Sequence, residues 1–267
     1  MQIVNSSRAV LHPLFEGVGG VLIFDLDGTL LNTIADLGTA CNHALSAFNF
    51  PQHDLDEYPH LVGNGVNRLI ERALPAGHKD EATVLSLREV FVPYYDTHNC
   101  VHTQPYEGIP ELLLALRQRG FRLAVASNKY QAATAQLVEH FFPDTFDVVF
   151  GERPNVPRKP DPQIVYDILT RLSTINTPLH STLNSQPSTS LNSQLSTNNC
   201  PQLSTLNSQP TWYIGDSLVD IATARNAGLP MIACAWGFCS EKELEEAHPD
   251  LLAHHPADIL SFLIHHQ

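Results

Sequence analysis

The chain runs to 267 residues, 43% hydrophobic and 16% charged, enough for one sizeable buried core and a second, smaller domain. A formal charge of −13 argues against nucleic acid or an anionic membrane as partner, because such surfaces demand a net basic footprint; small anions gathered by local positive charge remain. No apolar run reaches the roughly 18 residues of a membrane span, so the expectation is a soluble, cytoplasmic protein, monomeric or a small homo-oligomer.

The first predicted strand, VLIFDLD at 21–27, follows an N-terminal extension (1–19) that has no basic region running into a continuous apolar stretch. Residues 34–104 then carry three helical patterns and no strand-like run: Ile34, Leu37, Cys41, Ala44, Leu45, Phe48; Val66, Leu69, Ile70, Ala73, Leu74; Val84, Leu87, Phe91. This helical insert leaves just after the first strand and returns at PYEGIPELL. That places it above the strand's carboxyl end, as a cap able to act as a lid.

Further strand-like runs follow at 121–127 (FRLAVAS), 146–150 (FDVVF), 211–215 (TWYIG) and 230–236 (PMIACAW), rich in β-branched and aromatic residues. Helical spacing fills the gaps: Leu112, Leu113 and Leu116; Leu137 and Phe141; Ile164, Ile168, Leu169 and Leu172; Val219 and Ala222. Alternation of this kind predicts an α/β fold. Its core, 20–33 and 105–267, would be a Rossmann-like parallel sheet with helices on both faces and a binding crevice at the carboxyl ends of the strands.

Residues 174–210 break the pattern, with STLNSQP at 181–187 and again at 204–210, and LNSQ at 191–194. Almost no charge or aromatic side chain interrupts this polar tract, so it is expected to be a disordered loop on the sheet edge opposite the crevice. The five cysteines, at positions 41, 100, 200, 234 and 239, form neither a CxxC pair nor a disulfide framework and read as small buried residues. Several of the fourteen histidines crowd the C-terminal HPDLLAHHPADILSFLIHHQ and read as solvated.

Asp25 and Asp27, taken alone, are better explained as strand-end residues capping the next turn. But each later strand also ends in polar groups: Ser127 and Asn128 after the second, Lys159 in RKPDP after the third, Asp216 and Asp220 in GDSLVD after the fourth. In a parallel sheet all four sets meet on one edge. Packed carboxylates repel one another, and hard oxygen ligands call for Mg²⁺ as the neutraliser. One carboxylate can then attack phosphorus in line and form an acyl phosphate, while a second protonates the departing oxygen and later activates water. Ser127, Asn128 and Lys159 supply donors to the nonbridging oxygens.

DLDGTL, the strand ending in SN, KPDP and GDSLVD, in this order, resemble the four motifs of the haloacid dehalogenase-like superfamily. The resemblance implies Asp25 as nucleophile and metal ligand, Asp27 as general acid/base with its backbone carbonyl on the metal, and Asp216 as a direct Mg²⁺ ligand. It further implies that Thr29, Ser127 and Lys159 orient nucleophile or phosphate, and that Asp220 supports the metal's water shell. An aspartate at 27 is what its phosphatases and phosphomutases carry. LVGNGVNRLIERAL, with Gly63 and Gly65, is similar to the cap of the phosphoglycolate phosphatase branch, so a small phosphate ester, 2-phosphoglycolate first, is the expected substrate. The two glycines fit either a ligand or a plain helix-start turn, and Arg68 on the same helix either a substrate contact or a solvated face. A phosphomutase of the β-phosphoglucomutase type, a pyrophosphatase or nucleotidase, and a non-catalytic binding protein are the alternatives.

Overall fold

The structure, a computed structural model, describes residues 19–175 and 210–265. Most of the N-terminal extension and of the repeat tract lies outside the described residues. None of the described helices is long and apolar enough to cross a membrane.

Eight strands are present among the described residues: β1 (Val21–Phe24), β2 (Leu31–Asn32), β3 (Gln104–Pro105), β4 (Arg122–Tyr130), β5 (Val148–Glu152), β6 (Thr211–Gly215), β7 (Met231–Cys234) and β8 (Leu251–Ala253). Six form one sheet in the order β5-β4-β1-β6-β7-β8, every neighbouring pair parallel; β2 and β3 form a separate antiparallel pair. The helices are α1 (Ile34–Ala47), α2 (Val66–Ala73), α3 (Glu81–His98), α4 (Ile109–Gln118), α5 (Gln131–Phe141), α6 (Gln163–Ile175), α7 (Leu218–Asn226), α8 (Glu241–Glu246) and α9 (Pro256–His265).

The strands alternate between two cores, as the pleat requires. Leu22 and Phe24 of β1 pack with Leu123, Val125, Leu112, Leu116, Ile259 and Leu263 on one face. Val21 and Ile23 pack with Ala124, Ala126, Ile164, Ile168 and Ile221 on the other. Each such aliphatic side chain, fully removed from water, is worth about 1.5–3 kcal/mol. The helical segment has a third core of its own: Leu37, Cys41 and Leu45 of α1, Leu69 and Ile70 of α2, and Leu87, Phe91 and Tyr95 of α3. Where that segment leaves and returns, buried Asp36 accepts from the backbone of His102 (3.0 Å) and from both the backbone and the hydroxyl of Thr103 (2.9 and 2.8 Å).

Four strand limits differ from expectation, the run expected at 230–236 being shorter at Met231–Cys234. The first strand stops at Phe24 because the chain turns at Asp25–Leu31, with Leu30 and Leu31 both donating to the Leu26 carbonyl. The second runs on to Tyr130 through an irregular register beyond Ala126, and the third is shifted to 148–152. In the C-terminal segment His254 and His255 are exposed as expected. Around them, however, Leu251–Ala253 adds an edge strand and Ile259 and Leu263 of α9 enter the core, contacts hidden by the shortness of these apolar runs.

Candidate active site

The parallel sheet sends the carboxyl ends of β1, β4 and β6 to one edge, and the residues beyond them meet there. Asp25 follows β1, Ser127 to Lys129 end β4, Lys159 lies in the loop after β5, Asp216 follows β6 and Asp220 sits in the first turn of α7. Asp25, Asp216 and Asp220 each offer a carboxylate oxygen within 4.8 Å of the others. Lys159 is buried among them: its Nζ donates to Asp220 Oδ1 (2.7 Å) and to the Ala126 carbonyl (2.9 Å), and stands 2.9 Å from Asp25 Oδ1.

Each carboxylate has its own tether. Asp216 accepts from the Thr29 hydroxyl and the Phe238 N–H, both at 2.8 Å. Asp220 accepts from the Ser217 hydroxyl at 2.5 Å, and Ser217 in turn caps α7. Gly28, at φ +87°, lets the turn after Asp25 close over Asp216; a Cβ there would stand 2.2 Å from Asp216 Oδ2.

Three acids against one lysine leave an uncompensated buried negative charge. Burial, with the neighbouring Asp220, pushes the Asp25 carboxyl up to about 7 despite the opposing pull of Lys159. Burial and the charges of Asp220 and Asp25 hold Asp216 well above the carboxylate range. Burial alone would lower Lys159, but Asp220 and Asp25 keep it well above its ordinary value, so it is a fixed cation. The Lys159 ion pair apart, Asp25 Oδ1 is buried without a hydrogen-bond partner. A cluster of hard oxygens with one orphaned atom and excess negative charge fits a divalent cation such as Mg²⁺.

Asp27 goes elsewhere. Its carboxylate accepts from the Thr33 hydroxyl (2.8 Å) and from Lys129 Nζ (2.9 Å), outside the three-acid cluster. Both Asp25 and Asp27 line a cleft between the sheet edge and the helical segment, together with Ser127, Asn128 and Lys129. Asn128 was expected among the donors to phosphate; its side-chain amide is instead engaged with the backbone of Lys159 (2.9 and 3.2 Å) and of Gly63 (3.3 Å), and so joins the lysine loop to the cap. Thr29, expected near the phosphate, holds Asp216. Gly63 and Gly65 line the cleft, whereas Arg68 pairs with Glu71 on the surface and is not among its lining residues.

Lys129 and Thr33 escaped the sequence reading. The signal for Lys129 was present: it directly follows Ser127 and Asn128 on the same strand end, a cation where an anionic substrate would arrive.

The sequence model described as haloacid dehalogenase-like hydrolase matches residues 22–180, and a second, HAD-hydrolase-like one matches 156–259. Among curated proteins, the phosphoglycolate phosphatase of Aquifex aeolicus is 26% identical over 247 residues, covering 92% of this chain and 97% of its own. That of Cereibacter sphaeroides is 30% identical over 237 residues, covering 88% and 93%. A crystal structure of a candidate phosphoglycolate phosphatase from Lactobacillus delbrueckii subsp. bulgaricus superposes with a TM-score of 0.72 at 29% identity, covering 90% of this chain and 95% of that one.

Proposed function

The chain belongs to the haloacid dehalogenase-like hydrolases and is a phosphoric monoester hydrolase by its likeness to curated phosphatases; from that premise we propose a Mg²⁺-dependent phosphatase of small phosphate monoesters, 2-phosphoglycolate foremost. One observation carries the reading: Asp25 sits both in the buried acid cluster and at the floor of the cleft, so a single carboxylate is in reach of a cation and of a substrate.

Asp25, Asp216 and the backbone carbonyl of Asp27 would hold the Mg²⁺, with Asp220 in support; when bound, the ion offsets their charge and that of the phosphoryl oxygens. Asp25 attacks phosphorus in line; the P–O ester bond breaks, and the leaving oxygen takes its proton from Asp27. The resulting aspartyl phosphate is then opened by water that Asp27 deprotonates, returning Asp25 and releasing inorganic phosphate. Lys159, fixed by Asp220 and Ala126, keeps Asp25 oriented and steadies the charge that builds on the phosphoryl group. Thr33 and Lys129 set the direction of Asp27. In a test of phosphate release from a panel of esters, turnover of 2-phosphoglycolate that requires Mg²⁺ supports this function; release unaffected by chelation or by Asp25→Asn overturns it.

A further inference from the structure

The two walls of the cleft differ in kind. On the sheet side stand the carboxylates of Asp25 and Asp27 and one cation, Lys129. On the cap side stand Leu37, Val62, Val66, Leu69 and Phe91, none with a hydrogen-bonding side chain. The two tyrosines on the lining add little: the Tyr130 hydroxyl is held by Asp96 at 2.5 Å, and that of Tyr95 is withdrawn from solvent. Lys129 is anchored where it would meet a substrate, its side chain 4% exposed, its ammonium 2.9 Å from Asp27 Oδ2 and 4.8 Å from the centre of the Tyr95 ring.

We propose that Lys129 recognises an anionic group on the leaving alcohol, and that the cleft thereby selects phosphate esters of short 2-hydroxy acids over those of neutral alcohols and of sugars. This deepens the phosphatase reading and rests on it. The leaving oxygen must lie against Asp27 to take its proton, and the ammonium that grips the same carboxylate is then close to whatever the adjacent carbon carries. A carboxylate there finds a cation whose side chain is almost wholly withdrawn from solvent, a strong partner. A methyl group gains no ionic partner there. Sugar hydroxyls would have to leave water for an apolar wall whose side chains offer no partners, which rejects them more sharply than size does.

The test compares kcat/KM of the full chain with Mg²⁺ for 2-phosphoglycolate, ethyl phosphate (the same skeleton with a methyl in place of the carboxylate) and glucose 6-phosphate. The wild type should prefer 2-phosphoglycolate to each of the others by at least about threefold. Lys129→Met should reduce the preference over ethyl phosphate by at least about threefold, through a raised KM for the acid, and Lys129→Arg should retain it. A wild-type preference below that threshold over either ester, which needs no variant to fold, overturns the proposal, as does a preference that Lys129→Met leaves unchanged. Those results leave standing the reading as a phosphatase of small monoesters, though a wild type without the preference removes 2-phosphoglycolate from its foremost place. Release of phosphate from none of the esters would overturn that reading, and the proposal with it.

Discussion

The ammonium of Lys159 lies 2.9 Å from Asp25 Oδ1, both side chains drawn out of water at the end of the central strand. Asp220 holds the same ammonium at 2.7 Å, so one lysine touches two of the three clustered acids. Removing its charge with Lys159→Met should destabilise the fold by about 3–5 kcal/mol, the cost of leaving a buried counter-charge unpaired. Urea denaturation checks this, and added Mg²⁺ should recover more stability in the variant than in the wild type. Equal Mg²⁺ effects would mean that Lys159 does not share the charge of the acid cluster.

The raised carboxyl of Asp25 fixes the sign of a pH effect. Folded, it holds its proton up to about 7, whereas its unperturbed value is 3.8. Between those values the native state binds the extra proton, so this group's contribution to stability is greatest below the lower value and falls as pH rises through the upper one. Without Mg²⁺, the melting temperature should therefore decline between pH 5 and pH 7.5; with Mg²⁺ in excess the decline should flatten, because the cation replaces the proton. Thermal melts in chelator and in Mg²⁺ across that range decide it.

Gly28→Ala places a Cβ at a backbone φ of +87°, 2.2 Å from Asp216 Oδ2. Backbone strain of about 1–3 kcal/mol is the smaller consequence. Asp216 must also move off its bonds from Thr29 and Phe238, so Mg²⁺ titration should show affinity reduced by about tenfold or more, as for other changes that disorient ligands. Unchanged Mg²⁺ affinity in a folded variant would place the metal away from Asp216.

Asp36 binds the chain where the helical segment returns, and belongs to none of the four motifs. Asp36→Ala strips the acceptor from the two backbone N–H groups of His102 and Thr103 and from the Thr103 hydroxyl, and should cost about 2–4 kcal/mol. Chemical denaturation measures it, with Mg²⁺ affinity expected to hold in the folded fraction.

The convergence of Asp25, Ser127, Lys159 and Asp216 was legible because a parallel sheet turns four strand ends into one place, whatever lies between them in the chain. What each residue does there was less so. Thr29 and Asn128 are polar in the right place, yet hold Asp216 and the Lys159 loop, and only coordinates show which way a side chain turns. The cleft wall was hidden for another reason: Leu37, Leu69 and Phe91 share the helical period of the cap's own core, and a core residue at a cleft carries no separate mark. β8 fell below notice because a three-residue strand has too few positions to show a period.

In the proposed reaction Asp25 carries the phosphoryl group during turnover. Rapid quenching of the Mg²⁺-loaded protein with 2-phosphoglycolate labelled in its phosphate, followed by peptide mapping, tests it most directly. A transient, hydroxylamine-sensitive label on the peptide containing residue 25, absent from Asp25→Asn, is the predicted result; full turnover by Asp25→Asn, or a label on another residue, would contradict it.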